Sequence, residues 1–190
     1  MVKFPSSLDP NDFGATEFEY SRIARKCGIV MPETQLFENK YFGVKRFDRE
    51  GDDRIHMHTA SGLLNASYRF PSLDYIDLIR ASFALTKNLE NSYKLFRQMV
   101  FNVLTGNKDD HTKNFSFLYT EQGWCLSPAY DLAPSGGFNG NHSTTIAGQG
   151  QPSRENLFEV GIQTGLKQKR MLQIFDEVHQ NCTPIRLGQW

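Results

Sequence analysis

The stretch "GNKDDHTKNFSFLY", residues 106–119, decides how this chain is read. Asp109, Asp110, His111, Lys113 and Asn114 crowd into six positions, and the apolar alternation of Phe115, Phe117 and Tyr119 follows at once. Alternation with period two marks a strand with one buried face. Upstream, "ENSYKLFRQMVFNVLTGN" carries Leu95, Met99 and Val103 on one helical stripe with Phe96, Val100 and Leu104 beside it. It stops at Gly106-Asn107, a natural C-cap. A polar knot therefore sits between the end of a buried helix and the mouth of a strand, where it is either a solvated turn or a site.

Working outward, the strand turns through "TEQG" into "GWCLS", a hairpin, and "PAYDLAPSGGFNGNHS" follows as a Pro/Gly-rich loop. The tail is helical again, with Leu157 and Val160 in one segment and Met171, Ile174, Phe175 and Val178 in another. Before the knot, "PSLDYIDLIRASFAL" predicts a further helix. The first fifty residues read differently: "VKFP" is a short strand cut by Pro5, and "SSLDPNDFG" is loop. "TEFEYSRIARKCG" is a helix with Thr16 as N-cap, Glu19 completing a capping box and Gly28 as its stop. "MPETQLF" and "KYFGVKRF" are paired strands joined by "ENK". The expectation is an α+β, two-lobed chain: a strand-rich unit over residues 1–52 and a mostly helical unit over 53–190 that carries the knot and the hairpin.

Composition narrows the class. With 39% hydrophobic and 22% charged residues the 190-residue chain is expected to fold around one good core. The 21 basic and 21 acidic residues cancel, so no global field draws it to nucleic acid or an anionic membrane. No apolar run approaches the roughly 18 residues of a membrane span, and the expected location is the cytoplasm. Three cysteines without a CxxC pair, Cys27, Cys125 and Cys182, argue against a disulfide framework or a zinc ribbon.

The knot has the makings of a phosphoryl-transfer site. That chemistry needs a carboxylate to take the proton of an attacking hydroxyl, and hard oxygen ligands for magnesium against the phosphates. Asp109 and Asn114 stand in the D-x-x-x-x-N spacing of a protein-kinase catalytic loop, and the hairpin delivers Asp131 of "PAYD" where a second magnesium ligand belongs. Lys3 on the first strand and Glu17 on the following helix match a phosphate-binding lysine and its carboxylate partner, and the backbone of Lys45 to Phe47 is placed to pair with an adenine. Each has a bland reading: the spacing alone recurs by chance, and Lys3 with Glu17 is an ordinary surface pair when taken singly. "DDH", or His56 with His58, would suit a metal-dependent hydrolase, although neither has an evident third ligand. Asp110 beside Asp109 requires the two carboxylates to point apart or Lys113 to relieve them.

Taken together, "GNKDDHTKNFSFLY", "LSPAYDLAPS" and "VKRFDRE" resemble the HipA family of bacterial serine/threonine kinases, toxins of toxin–antitoxin pairs, over nearly the whole chain. The resemblance implies ATP and Mg²⁺ as cofactors, Asp109 as catalytic base, and Asn114 and Asp131 as magnesium ligands. It also implies Lys3 as the nucleotide lysine, His111 and Lys113 as neighbours of the phosphates, and Lys45 to Phe47 as the adenine-side segment. The implied partners are a protein substrate, such as an aminoacyl-tRNA synthetase, and a helix-turn-helix antitoxin. The family's phosphate-gripping loop lies upstream of the lysine strand, and this chain begins two residues before that lysine. The expectation is accordingly an incomplete front lobe prone to self-association, with an interaction module of impaired catalysis as the alternative function.

Overall fold

A computed structural model describes residues 1–4, 12–66 and 73–186. The expected loop over "SSLDPNDFG" and the first residues of "PSLDYIDLIRASFAL" lie largely outside them.

At the centre is α4, Leu89–Thr105. Leu95, Phe96, Met99, Val100, Phe101 and Leu104 are all fully buried, so the helix is apolar around most of its circumference. Such a helix has to be surrounded. α3 (Tyr75–Thr86), α5 (Arg154–Gln163) and α6 (Gln168–Asn181) pack around it. Asn88 caps its start by accepting the Glu90 amide at 2.9 Å. Gly106 ends it in the left-handed region, φ 69°, and the Asn107 amide folds back onto the Asn102 carbonyl at 2.9 Å. That reversal launches the polar knot outward from a buried helix end.

Two small sheets flank this core. β1 (Val2–Lys3), β2 (Thr34–Phe37) and β3 (Tyr41–Val44) form an antiparallel sheet in the order β1-β3-β2, backed by α1 (Phe13–Lys26). Lys3 stands opposite Phe42 and Leu36 opposite Phe42 on the other side, so these three share one face. β4 (Arg49–Glu50) and β5 (Asp53–Arg54) form a short antiparallel hairpin of two-residue strands. β6 (His56–Thr59) then pairs with β7 (Ser116–Thr120), and β7 with β8 (Gly123–Leu126). The short α2, Ala60–Leu63, follows β6. No helix of the described residues is long and apolar enough to cross a membrane.

One helix start differs from expectation. α1 begins at Phe13, three residues before Thr16, whose amide already donates to the Asp12 carbonyl at 2.9 Å. Thr16 therefore lies inside the first turn, and no side chain caps the helix. The capping-box spacing was present, but the chain enters the helix before it.

α1 is seated by Gly14. A Cβ there would fall 2.0 Å from the Lys40 carbonyl oxygen, backbone that cannot swing aside. Gly14→Ala would gain about 1 kcal/mol of helix propensity, yet overpacking against backbone costs roughly 1–3 kcal/mol. We expect a net loss of stability in urea unfolding, and a variant as stable as the parent would show that α1 is not held against the β2–β3 turn.

Candidate active site

The knot is built around Asp110, not Asp109. Asp110 is buried, and its Oδ2 accepts from the Tyr75 hydroxyl and the His142 Nδ1, each at 2.9 Å. Its Oδ1 accepts the Ser143 amide at 2.9 Å and the Thr144 amide at 3.2 Å. The Thr144 hydroxyl closes the loop by donating to the Asp110 carbonyl at 2.6 Å. Behind Tyr75, Asn102 donates to its hydroxyl and Asn107 donates to Asn102, both at 3.0 Å. Burial first, and the Asp110 charge second, push the Tyr75 hydroxyl well above its ordinary pKa, which keeps it a donor. A buried carboxylate with every lone-pair direction used is a fixed point.

With Asp110 turned inward, Asp109 turns outward. The alternate orientation resolves the adjacent carboxylates. Its side chain is half exposed, and Oδ1 lies 3.0 Å from His111 Nε2. Burial raises its pKa above the usual carboxylate range; His111 and Lys113 oppose the shift, and Asp131 and Asp110 add to it. Asn114, in a single 3₁₀ turn over Thr112–Asn114, donates through Nδ2 to the Asp109 carbonyl at 2.9 Å. Its Oδ1 accepts no hydrogen bond among the described residues.

Asp131 arrives from the far end of the β7–β8 hairpin. Tyr130, next to it, places its hydroxyl 2.7 Å from both the Lys113 carbonyl and the Ser116 hydroxyl, which pins this segment to the residue before Asn114. Asp131 itself is in the left-handed region, φ 59°, a conformation that aspartate tolerates better than most residues and that tight surroundings must hold. Its Oδ1 lies 2.6 Å from Lys3 Nζ, and the same ammonium is 2.5 Å from Glu17 Oε1. Burial lowers the Lys3 pKa, but Glu17 and Asp131 together outweigh it and hold the lysine above its ordinary value. Burial likewise raises Glu17 against the pull of Lys3. Glu17 Oε2 is buried without a partner among the described residues.

Lys3, Glu17 and Asp131 floor a cleft of about 180 Å³ between the first sheet and the helical body, with apolar walls from Met31, Phe42, Val44 and Leu132; Asp109, His111, Lys113 and Asn114 are not among its lining residues. Lys3 on β1 and Glu17 on α1 thus meet Asp131 from the segment after β8, 128 residues beyond Lys3. Lys45 does not join them: its side chain reaches Glu33 at 3.7 Å on the opposite face of the sheet, and its amide donates to the Glu33 carbonyl. Phe47 packs against Tyr130, ring centroids 5.5 Å apart. His56 and His58 lie on β6, paired with β7, and among the described residues no three His, Cys, Asp or Glu side chains converge on a metal position. The network through Tyr75, Asn102 and His142 had no signal in the sequence. The adjacency of two aspartates was the only hint that one of them was structural.

The donor set suits magnesium. Asp131, a carboxylate, and Asn114 Oδ1, an amide oxygen, are hard donors of the kind that would hold magnesium when phosphates and water complete its shell.

A family model described as the HipA-like C-terminal domain matches residues 1–184; the chain belongs to that family. Among curated relatives, "Putative kinase Y4dM" of Sinorhizobium fredii is 28% identical over 152 residues, covering 70% of this chain and 36% of that protein. "Putative kinase Y4mE" of the same organism is 35% identical over 148 residues, covering 70% and 33%. The chain spans about a third of the length of these relatives. Among solved structures, HipA of Shewanella oneidensis MR-1, determined with HipB and operator DNA, superposes with a TM-score of 0.80 at 21% identity over 97% of this chain and 51% of that one. The Helicobacter pylori proinflammatory kinase CtkA gives 0.57 at 14% identity, covering 97% and 86%. The fold is kinase-like.

Asp110→Ala would leave Tyr75, His142 and two amides without their acceptor. At roughly 1–3 kcal/mol for each unsatisfied buried group, we expect urea unfolding to show a loss of about 3 kcal/mol or more. A loss below 1 kcal/mol would mean that the network does not hold the loop.

Proposed function

We propose that this member of the HipA-like C-terminal domain family is an ATP- and Mg²⁺-dependent protein kinase acting on serine or threonine. The observation that carries the reading is Lys3, held by Glu17 and Asp131 in an apolar-walled cleft whose lining Tyr130 is hydrogen-bonded to Lys113 of the Asp109–Asn114 loop. An ammonium fixed between two carboxylates keeps its charge and its aim at a phosphate. Met31, Val44 and Leu132 supply apolar walls for a purine, and the backbone of Lys45 to Phe47 is the adenine-side edge.

In the transfer, the acceptor hydroxyl oxygen bonds to the γ-phosphorus as the bond to the β–γ bridging oxygen breaks, and ADP leaves. Asp109 takes the hydroxyl proton. Its carboxylate is half exposed, so an incoming side chain reaches it, and its raised pKa makes it a better proton acceptor than a free aspartate. His111 orients the carboxylate through its Nε2 contact. Asn114 ties the Asp109 backbone in place and, with Asp131, would hold magnesium, which when bound neutralises phosphate charge. Lys113, exposed beside the loop, adds a positive charge toward the same groups.

A protein substrate such as an aminoacyl-tRNA synthetase, and a small helix-turn-helix partner, follow from the family resemblance. The second has support in the Shewanella neighbour, which was solved with HipB and operator DNA. The division into a front unit over 1–52 and a helical unit over 53–190, flanking the cleft, is part of the same proposal.

Transfer of γ-phosphate from labelled ATP to protein acceptors tests the reading. Asp109→Ala should cut the rate by roughly 10²–10⁴ with nucleotide affinity kept within about twofold; equal loss of both would make Asp109 a binding residue. Wild-type transfer no faster than that variant would leave an interaction module as the function. Because the base must be ionised, the rate should be lost as pH falls through a pKa above the ordinary aspartate value of about 3.9. A flat profile there would remove Asp109 from the role. Asp131→Asn should raise the magnesium concentration needed for half-maximal rate, and an unchanged requirement would exclude it as a ligand.

A further inference from the structure

Phe138 is the most exposed large apolar side chain among the described residues, at 75%. Lone exposed apolar residues are common and usually mean nothing. This one is unusual in how it is presented. Residues 138–141 form a tight reversal in which the Asn141 amide donates to the Phe138 carbonyl at 3.0 Å, with Asn139 at φ 51° and Gly140 at φ 77°. Gly137, φ 64°, is required by space as well as by conformation, since a Cβ there would fall 2.1 Å from the Asn141 carbonyl oxygen and 2.8 Å from Lys108 Cβ.

The reversal is fastened to the catalytic loop itself. Lys108 Nζ donates to the Gly140 carbonyl at 2.8 Å, and the Ser143 amide and hydroxyl both donate to the Lys108 carbonyl at 3.0 Å. The Ser135 amide donates to the Gly106 carbonyl at 3.0 Å. Ser143 and Thr144 then bind Asp110. The segment from 135 to 144 is thus laced to residues 106, 108 and 110, and Asp109 projects from the same short run. Gly136 leaves open surface beside the ring, because a Cβ there would meet nothing within 4 Å. Here a glycine-framed turn displays one exposed aromatic ring on a segment bonded to Lys108 and Asp110, the residues on either side of the half-exposed Asp109.

We propose that Phe138 selects the protein substrate by packing against an apolar side chain a few residues from the acceptor hydroxyl. The inference rests on the kinase reading above. A hydroxyl delivered to Asp109 brings its flanking residues across the Gly136–Phe138 surface, and an aromatic anchor on a fixed backbone contributes contact area with little ordering cost.

The test is a positional-scanning peptide library, each member with one central serine, phosphorylated by the wild-type chain, Phe138→Ala and Phe138→Trp. ATP turnover and nucleotide affinity are read in the same samples. Wild type should enrich apolar residues at one position near the serine. Phe138→Ala should erase that preference and raise KM for the best peptide by roughly tenfold at unchanged nucleotide affinity, and Phe138→Trp should keep it. ATP turnover with no apolar preference, or a preference that survives Phe138→Ala, overturns the assignment while the kinase reading stands. Absence of both ATP turnover and nucleotide binding overturns the two together.

Discussion

Everything at the cleft depends on where one buried carboxylate sits. Asp110 takes four hydrogen bonds to its side chain, from Tyr75 on α3, from His142 and from the Ser143 and Thr144 amides. Four donors converging on one acidic group leave it a single low-energy orientation, and that orientation decides its neighbour's. Asp109 faces outward because Asp110 faces inward. Through Asn102 and Asn107 the same network reaches back to the C-terminal turn of α4, so the loop is braced by the most deeply buried helix. A loop at a protein surface is ordinarily among its more mobile parts; this one is tied to the core through polar side chains.

The second constraint is long-range. Lys3, Glu17 and Asp131 come from β1, α1 and the segment after β8, and an ammonium between two carboxylates fastens the first sheet to the helical body. Asp131 adopts a left-handed backbone to reach it, while Tyr130 holds the adjacent position through Lys113 and Ser116. A residue in that region costs energy and persists only where its surroundings hold it, and here its neighbour and its side chain are both held. The strain lies at the residue for which a ligand role is proposed.

The elements were legible in the sequence because their signals are local. The stripe from Leu95 to Leu104, the stop at Gly106, the alternation from Phe115 to Tyr119 and the paired runs around "ENK" each fix an element within a few residues. Asp109, Asn114, Asp131, Lys3 and Glu17 could be named as candidates from spacing and family resemblance. The pairing of Lys3 with Glu17 could be read too, but the meeting of Lys3 with Asp131 could not, since the two are 128 residues apart. Nor could the partners of Asp110, drawn from positions 75, 142, 143 and 144, which carry no periodicity that singles them out. The start of α1 was missed because a capping-box spacing says nothing about whether the chain has already entered the helix upstream. Lys45 was read for its backbone as part of an adenine-side segment; its side chain reaches Glu33 and its amide is taken by the Glu33 carbonyl.

The central claim is that the cleft above Lys3 takes a nucleotide together with magnesium. Calorimetric titration of the chain with a non-hydrolysable ATP analogue, with and without Mg²⁺, tests it most directly. The account predicts binding at about micromolar strength that depends on the metal, because Asn114 and Asp131 contribute only when a cation joins them to the phosphates. Affinity indifferent to magnesium would contradict the ligand assignment, and no binding under either condition would contradict the account as a whole.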